Sequence, residues 1–110
     1  MLEGIFGNAT AEKVLLYLEQ YDEGYGKAIA DTFEDVSLSM VQLQLERFEA
    51  AGLLVSLPKG RTRVFTWNPR YPFLPEVRSL LRKALQLLPD QQRRRYFTQR
   101  RRPRRTGKPL

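Results

Sequence analysis

The spacing of the apolar residues changes from helical to strand-like near the midpoint of this chain, and this change constrains the fold more than any other feature. Before that point, apolar residues recur at helical spacing in three segments. They predict a helix over residues 9–20, a short helix around Ile29, and a third helix that ends at Ala51. Ser37 or Ser39 suits the start of the third helix, because a hydroxyl can accept a hydrogen bond from a free backbone N–H there.

The strand-prone run LLVSL begins at Leu53, and a second such run, TRVFTW, follows it after the turn PKGR. A glycine-containing turn between two such runs predicts a β-hairpin. Leucines recur at helical spacing again after Pro75, which predicts a fourth helix from about Glu76 that ends before Pro89. The predicted fold class is therefore α+β, with three helices, a β-hairpin and a C-terminal helix.

The charged residues are distributed unevenly along the 110 residues, a length that suits one domain. Residues 1–90 carry ten basic and 12 acidic side chains, whereas residues 91–110 carry nine basic side chains and no acidic one. Such a run repels itself and cannot form a core, so we expect a folded domain over residues 1–90 and a flexible basic tail over residues 91–110. The tail should attract a polyanion, most simply nucleic acid. A tail that only keeps the protein soluble is the alternative.

The residue types exclude several classes of protein. The chain has no cysteine and no histidine, which removes disulfides, thiolate nucleophiles, imidazole bases and the usual zinc ligands. Asp31, Glu34 and Asp35 lie close together in sequence, but without glycine-spaced loop ligands they predict a solvated turn. No apolar run approaches the roughly 20 residues that cross a bilayer, and the first residues lack a secretory signal. We expect a cytoplasmic protein that is not an enzyme, binds no membrane and needs no metal or cofactor.

Four segments carry more specific motifs: FGNATAEKVLLYL, VSLSMVQLQLERFEAAGLL, KGRTRVFTWNP and WNPRYPFLPEVRSLL. The first three resemble the FGxxTRxxILxxL, LSxSTVSxHLxxLEEAGLV and EGRxxYYxxNP motifs of ArsR-type winged helix-turn-helix regulators. The fourth resembles the NPxHPLFPELRxLL ending of winged-helix domains found with nucleotidyltransferase domains. Together these segments cover residues 5–88. The resemblance implies a homodimeric transcriptional regulator that binds double-stranded DNA.

In a winged helix-turn-helix, the third helix can enter the major groove while the hairpin, called the wing, contacts the DNA backbone. Gln can hydrogen-bond the edge of adenine, and Arg and Lys neutralise phosphates. The resemblance carries these roles to Ser37, Ser39, Met40, Gln42, Gln44 and Arg47 on the third helix and to Lys59, Arg61 and Arg63 in the wing. From its charge, the tail is expected to add phosphate contacts through Arg93, Arg94, Arg95, Arg100, Arg101, Arg102, Arg104 and Arg105.

The third predicted helix also departs from the family pattern. Leu43 and Glu46 stand where family members carry polar or basic residues, and two acidic residues replace the glycine usual in the preceding turn. Leu38, Met40 and Leu43 are therefore also candidates for core or dimer contacts. Two other functions stay open: a protein-interaction module that partners a nucleotidyltransferase, and RNA binding through the tail.

The last predicted helix has more leucines than the edge of a small domain usually buries. We therefore expect it to pair with a second copy in a homodimer. The alternative is a helix that packs fully on its own domain. The residues expected at the interface are Val77, Leu80, Leu81, Ala84 and Leu88.

Overall fold

The computed structural model of the chain describes residues 1–97, which form six helices and a three-stranded antiparallel sheet. This part of the chain is α+β, as the sequence predicts, and its element order is compatible with a winged-helix-like fold. None of its helices is long and apolar enough to cross a membrane. In chain order the elements are α1 (Glu3–Phe6), α2 (Ala9–Tyr21), β1 (Glu23–Tyr25), α3 (Gly26–Thr32), α4 (Leu38–Ala50), β2 (Leu54–Lys59), β3 (Thr62–Trp67), α5 (Leu74–Leu87) and α6 (Asp90–Tyr96).

Helix α2 lies at the centre of the core. Val14, Leu15 and Leu18 are fully buried on it, and α4 and α5 both pack against it. The helix begins where the Asn8 side chain accepts a hydrogen bond from the backbone N–H of Ala11 at 2.7 Å, which satisfies a donor that has no partner within the helix. The three predicted helices before the hairpin are confirmed as α2, α3 and α4.

The hairpin of β2 and β3 also forms as predicted, with Leu54 opposite Trp67 and Lys59 opposite Thr62. Gly60 lies in its turn with φ +63°, a left-handed conformation that glycine adopts without strain. The strand β1 was not predicted and pairs with the other side of β3. A three-residue strand is too short to show alternation in the sequence.

The start of α5 is tied to α2 by a group of ion pairs. Glu19 is 4% exposed, and its carboxylate accepts hydrogen bonds from Arg78 at 2.8 Å and from Arg82 at 3.4 Å. Arg78 also contacts Asp22 at 3.1 Å and lies over the ring of Trp67, 5.4 Å from its centroid. The buried Glu19 carboxylate is therefore compensated, as a charge in the interior must be.

The expected homodimer interface is corrected for three of its five residues. Leu81 is fully buried, Ala84 is 3% exposed and Leu88 is 9% exposed, all within the core of this one chain. Val77 and Leu80 are half-buried against the same core. The apolar stripe of α5 therefore faces α2 rather than open solvent, because the small domain uses it to close its own core.

The expectation of a flexible tail from residue 91 is wrong for residues 91–97. Residues 90–96 form α6, and Phe97 is 9% exposed. Rings of Tyr96 and Phe97 pack on Phe33, with centroids 5.0 and 6.1 Å apart. Apolar contact at the end of the segment thus offsets the repulsion within its arginines. The predicted contacts of Arg100, Arg101, Arg102, Arg104 and Arg105 lie outside the described residues.

Candidate functional site

Helix α4 presents a mixed polar and apolar face to solvent. Its first turn is capped by Ser37, whose Oγ accepts a hydrogen bond from the backbone N–H of Met40 at 3.2 Å and lies 3.2 Å from the Oγ of Ser39. Ser39, Met40 and Gln42 are exposed, as a reader of DNA bases requires. Leu43 is also exposed, at 61%, so Leu43 is not a core residue.

Gln44 does not belong to this exposed face, which corrects its predicted role as a DNA contact. The residue is 7% exposed, and it lies on the buried side of α4 with Val41, Leu45 and Phe48. Its Oε1 is buried without a hydrogen-bond partner in the described part of the chain. A side chain in this position contacts the core and cannot reach a DNA base.

Arg47 is exposed but already has protein partners. Its Nη2 donates a hydrogen bond to the backbone carbonyl of Phe6, and its guanidinium lies 4.8 Å from the ring centroid of Phe48. These contacts attach the short helix α1 to α4. Arg47 therefore positions α1, and a DNA contact would compete with the contacts that it makes here.

The hairpin carries cations that are exposed and available to bind an anion. Lys59 and Arg61 are exposed, and within residues 1–97 neither has an acidic side chain at ion-pair distance. Arg63 differs, because its Nη1 donates to Ser56 Oγ at 2.9 Å, and that hydroxyl donates to Glu49 at 2.5 Å. Ser56 thus links the hairpin to the C-terminal half of α4, and Arg63 binds the hydroxyl that makes this link.

An open groove of about 350 Å³ lies between the exposed face of α4 and this hairpin. Gln42 and Glu46 of α4 line one wall, and Arg61 and Arg63 of the hairpin line the other. Lys27, at the start of α3, closes one side and is paired with Asp31 at 3.1 Å. The groove brings together polar groups that are far apart in the sequence, with three cations against one anion.

Lys27 was not among the predicted site residues. In the sequence it stands beside Gly24 and Gly26, a fragment without the spacing of a phosphate-binding loop. The glycines serve packing: a Cβ on Gly24 would lie 2.6 Å from the ring of Tyr17. Lys27 lies beside the groove because β1 pairs with β3. No local sequence pattern indicates that pairing.

The acidic turn before α4 is neutralised by basic residues from other elements. Asp35 accepts a hydrogen bond from Lys13 at 2.7 Å, and this ammonium lowers the pKa of the Asp35 carboxyl. Glu34 pairs with Arg95 of α6 at 2.5 Å, and Glu34 in turn raises the pKa of Arg95. The negative charge that the sequence places beside α4 is therefore compensated within the fold.

Two of the arginines predicted to bind DNA through the tail make contacts within the fold. Arg95 pairs with Glu34, and its guanidinium lies 5.5 Å from the ring centroid of Tyr96. Arg93 donates to three backbone carbonyls at the end of α5, at 2.7, 3.1 and 3.3 Å. The last carbonyls of a helix lack the N–H donors of a following turn, so Arg93 caps the C-terminal end of α5. Arg94 is exposed between them.

No protein-family model matches this chain, and neither a curated protein nor a solved structure matches it.

Proposed function

We propose that this chain is a winged helix-turn-helix protein that binds double-stranded DNA and regulates transcription. The observation that carries the proposal is the open groove between α4 and the hairpin, which Gln42 lines from α4 and Arg61 lines from the hairpin. In this proposal α4 lies in the major groove and the hairpin follows the neighbouring backbone. The groove between them then accommodates the phosphates that separate the two contacts.

The proposed contacts divide into base readers and phosphate binders. Ser39, Met40 and Gln42 are exposed on α4 and suit base edges, since Gln can pair with adenine and an apolar group can meet the methyl of thymine. Lys59 and Arg61 suit phosphates, because both are exposed and unpaired within the described chain. Only the first group would carry sequence preference.

The binding test uses a pool of random duplex DNA, with bound sequences recovered and the salt concentration varied. We expect Arg61→Ala to weaken binding to every sequence and to reduce the log–log salt slope by about 0.9, the value for one lost phosphate contact. Gln42→Ala should keep the slope and lose preference at one base pair, at a cost of about 1–3 kcal/mol for the preferred site.

The matched control is Arg70→Ala, since Arg70 is an exposed arginine in the loop before α5 and does not line the groove. It removes one positive charge from the chain, as Arg61→Ala does, and should change the slope less. Equal effects of both arginine variants would mean that only net charge matters. The proposal is refuted if no sequence is enriched and Gln42→Ala changes nothing, or if the protein prefers RNA.

A protein-interaction module is the second candidate, and the apolar part of α4 favours it. Leu38, Met40 and Leu43 are 42%, 44% and 61% exposed on one short helix. Exposed apolar groups that lie together commonly mark binding surfaces. A separately encoded nucleotidyltransferase is the partner that the resemblance implies. Leu43→Ser discriminates the two functions, because it should abolish such an interaction and change DNA affinity only slightly.

A further inference from the structure

Glu46 lines the groove between α4 and the hairpin and has no role in the proposed DNA binding. The residue is exposed, and no basic side chain among residues 1–97 lies at ion-pair distance from it. A carboxylate in this place repels a DNA phosphate. It can instead accept a hydrogen bond from an N–H group of a ligand, since an ionised carboxylate only accepts.

Gln42 lies on the same wall of the groove, four residues before Glu46 on α4. Side chains at this spacing are neighbours on a helix, with Cβ atoms about 5–6 Å apart. The Gln42 amide can pair with N6 and N7 of adenine, and the carboxylate of Glu46 can accept the second N–H of the same amino group. The two side chains together therefore suit the edge of an adenine base.

Cations from two other elements complete the groove. Arg61 of the hairpin lines it and has no acidic partner among residues 1–97. Lys27 lines it from α3 and is paired with Asp31 at 3.1 Å, but both side chains are largely exposed, at 71% and 64%. Exposed ion pairs contribute little, so a phosphate can displace Asp31. Lys27 and Arg61 are therefore both available to one phosphate group.

The groove also has an apolar part and the size of a small-molecule site. Leu38, Leu45 and Phe65 line it, and the last two are buried. Its volume of about 350 Å³ lies at the lower end of the range of about 300–1,000 Å³ for ligand pockets. A Cβ on Gly26 would lie 3.2 Å from side-chain atoms of Gln42 and Leu38, so the start of α3 packs closely on α4. The apolar wall suits a flat base, which a sugar–phosphate backbone lacks.

We propose that the groove binds a free adenine nucleotide, with the base against Gln42 and Glu46 and the phosphate between Lys27 and Arg61. Gln42 and Arg61 are also proposed contacts of DNA. Because these side chains cannot hold both ligands at once, a bound nucleotide excludes DNA from the groove. The exclusion rests on the proposed DNA binding, whereas binding of the nucleotide itself does not.

Calorimetric titration of the full chain with adenosine monophosphate (AMP) tests the site directly. Adenosine lacks the phosphate and ribose 5-phosphate lacks the base, so each should bind at least about tenfold more weakly than AMP, the loss expected for one hydrogen bond to a charged group. Ribose 5-phosphate also measures any phosphate binding by residues 98–110, which carry six basic side chains. Equal affinities for AMP and ribose 5-phosphate would overturn the proposal.

Two substitutions locate the nucleotide in the groove. Lys27→Ala should weaken AMP binding about tenfold. Lys83→Ala is its matched control, since Lys83 is an exposed helical lysine that does not line the groove, and it should bind AMP normally. Equal losses in both variants would mean that only net charge matters and would overturn the site.

Glu46→Ala is read through the base. Purine riboside 5′-monophosphate lacks the 6-amino group of AMP, so the unchanged protein should prefer AMP to it. In Glu46→Ala this preference should fall, because one acceptor of the amino group is removed. An unchanged preference would overturn the placement of the base against Glu46. Glu46, Lys27 and Lys83 are all exposed, and thermal unfolding checks that the variants keep the fold.

A competition experiment separates this inference from the proposed function. AMP at ten times its Kd should weaken binding to a duplex selected from the random pool about elevenfold, the factor 1 + [L]/Kd for ligands that exclude each other. Ribose 5-phosphate at the same concentration should have little effect. If AMP binds in the groove and no duplex is bound, the proposed function fails and the nucleotide site stands. If DNA binds with sequence preference and AMP does not bind, only the nucleotide site fails. Simultaneous binding of both ligands would overturn the exclusion.

Discussion

The buried amide of Gln44 leads to a prediction about stability that also tests which face of α4 meets DNA. Its Oε1 is buried and has no hydrogen-bond partner among residues 1–97. A buried polar group without a partner costs about 1–3 kcal/mol. Methionine has a similar length and no amide, so Gln44→Met removes this cost and keeps most of the packing. We expect the free energy of unfolding to rise by about 1–2 kcal/mol.

The gain can be measured by urea unfolding followed through the fluorescence of Trp67, the single tryptophan of the chain, which is 6% exposed. Each kcal/mol should also raise the Tm by about 4–8 °C for a domain of this size. Gln42→Met is the matched control, because Gln42 lies exposed on the same helix and its substitution should change stability by less than about 0.5 kcal/mol.

The same two variants should separate in DNA binding. Gln42→Met should alter the preferred sequence, whereas Gln44→Met should leave it unchanged. The reasoning is refuted if Gln44→Met lowers the free energy of unfolding by about 1 kcal/mol or more, which would mean that its amide is well satisfied. A changed base preference in Gln44→Met would equally refute the assignment of this residue to the core face.

Two further predictions concern α5 and the acidic turn. Leu81→Ala should cost about 2–5 kcal/mol in urea unfolding because Leu81 is fully buried. Leu87→Glu, at a 62% exposed position on the same helix, should change stability by less than about 0.5 kcal/mol; equal losses in the two variants would contradict the burial of Leu81 within one chain. Lys13 lowers the folded-state pKa of Asp35, so the pair stabilises the fold above the ordinary pKa of an aspartate, and this contribution is lost as pH falls through the lowered value. Asp35→Asn should therefore reduce the Tm slightly at pH 7 and not at pH 2, and an equal change at both would contradict the ion pair.

The helices and the hairpin could be predicted because their apolar periods are set by burial of one face. In α4, the helical spacing of the apolar residues also indicates that Gln44 lies on the buried face. Val41, Leu45 and Phe48 define a buried stripe at i, i+4 and i+7, and position 44 falls at i+3 of the same stripe. The family motif suggests a base contact at position 44, but the helical geometry places this residue on the buried face of α4.

The placement of α6 could not be predicted, because the signal is tertiary. Three successive arginines favour solvent locally, and only the position of Phe33 shows that Tyr96 and Phe97 have a surface to cover. The same holds for the predicted dimer stripe on α5. Its leucines look excessive for one helix until α2 is seen to bury them.

The distribution of charge around α4 implies that affinity and sequence preference are separable in this protein. The exposed face of α4 holds neutral side chains, with Glu46 facing the groove and Arg47 occupied by α1. Lys59 and Arg61 lie beside it in the hairpin, exposed and without an acidic partner among residues 1–97. Removal of these two cations should therefore weaken binding to all sequences alike, and the sites recovered from a random pool should stay the same until residues of α4 itself are changed.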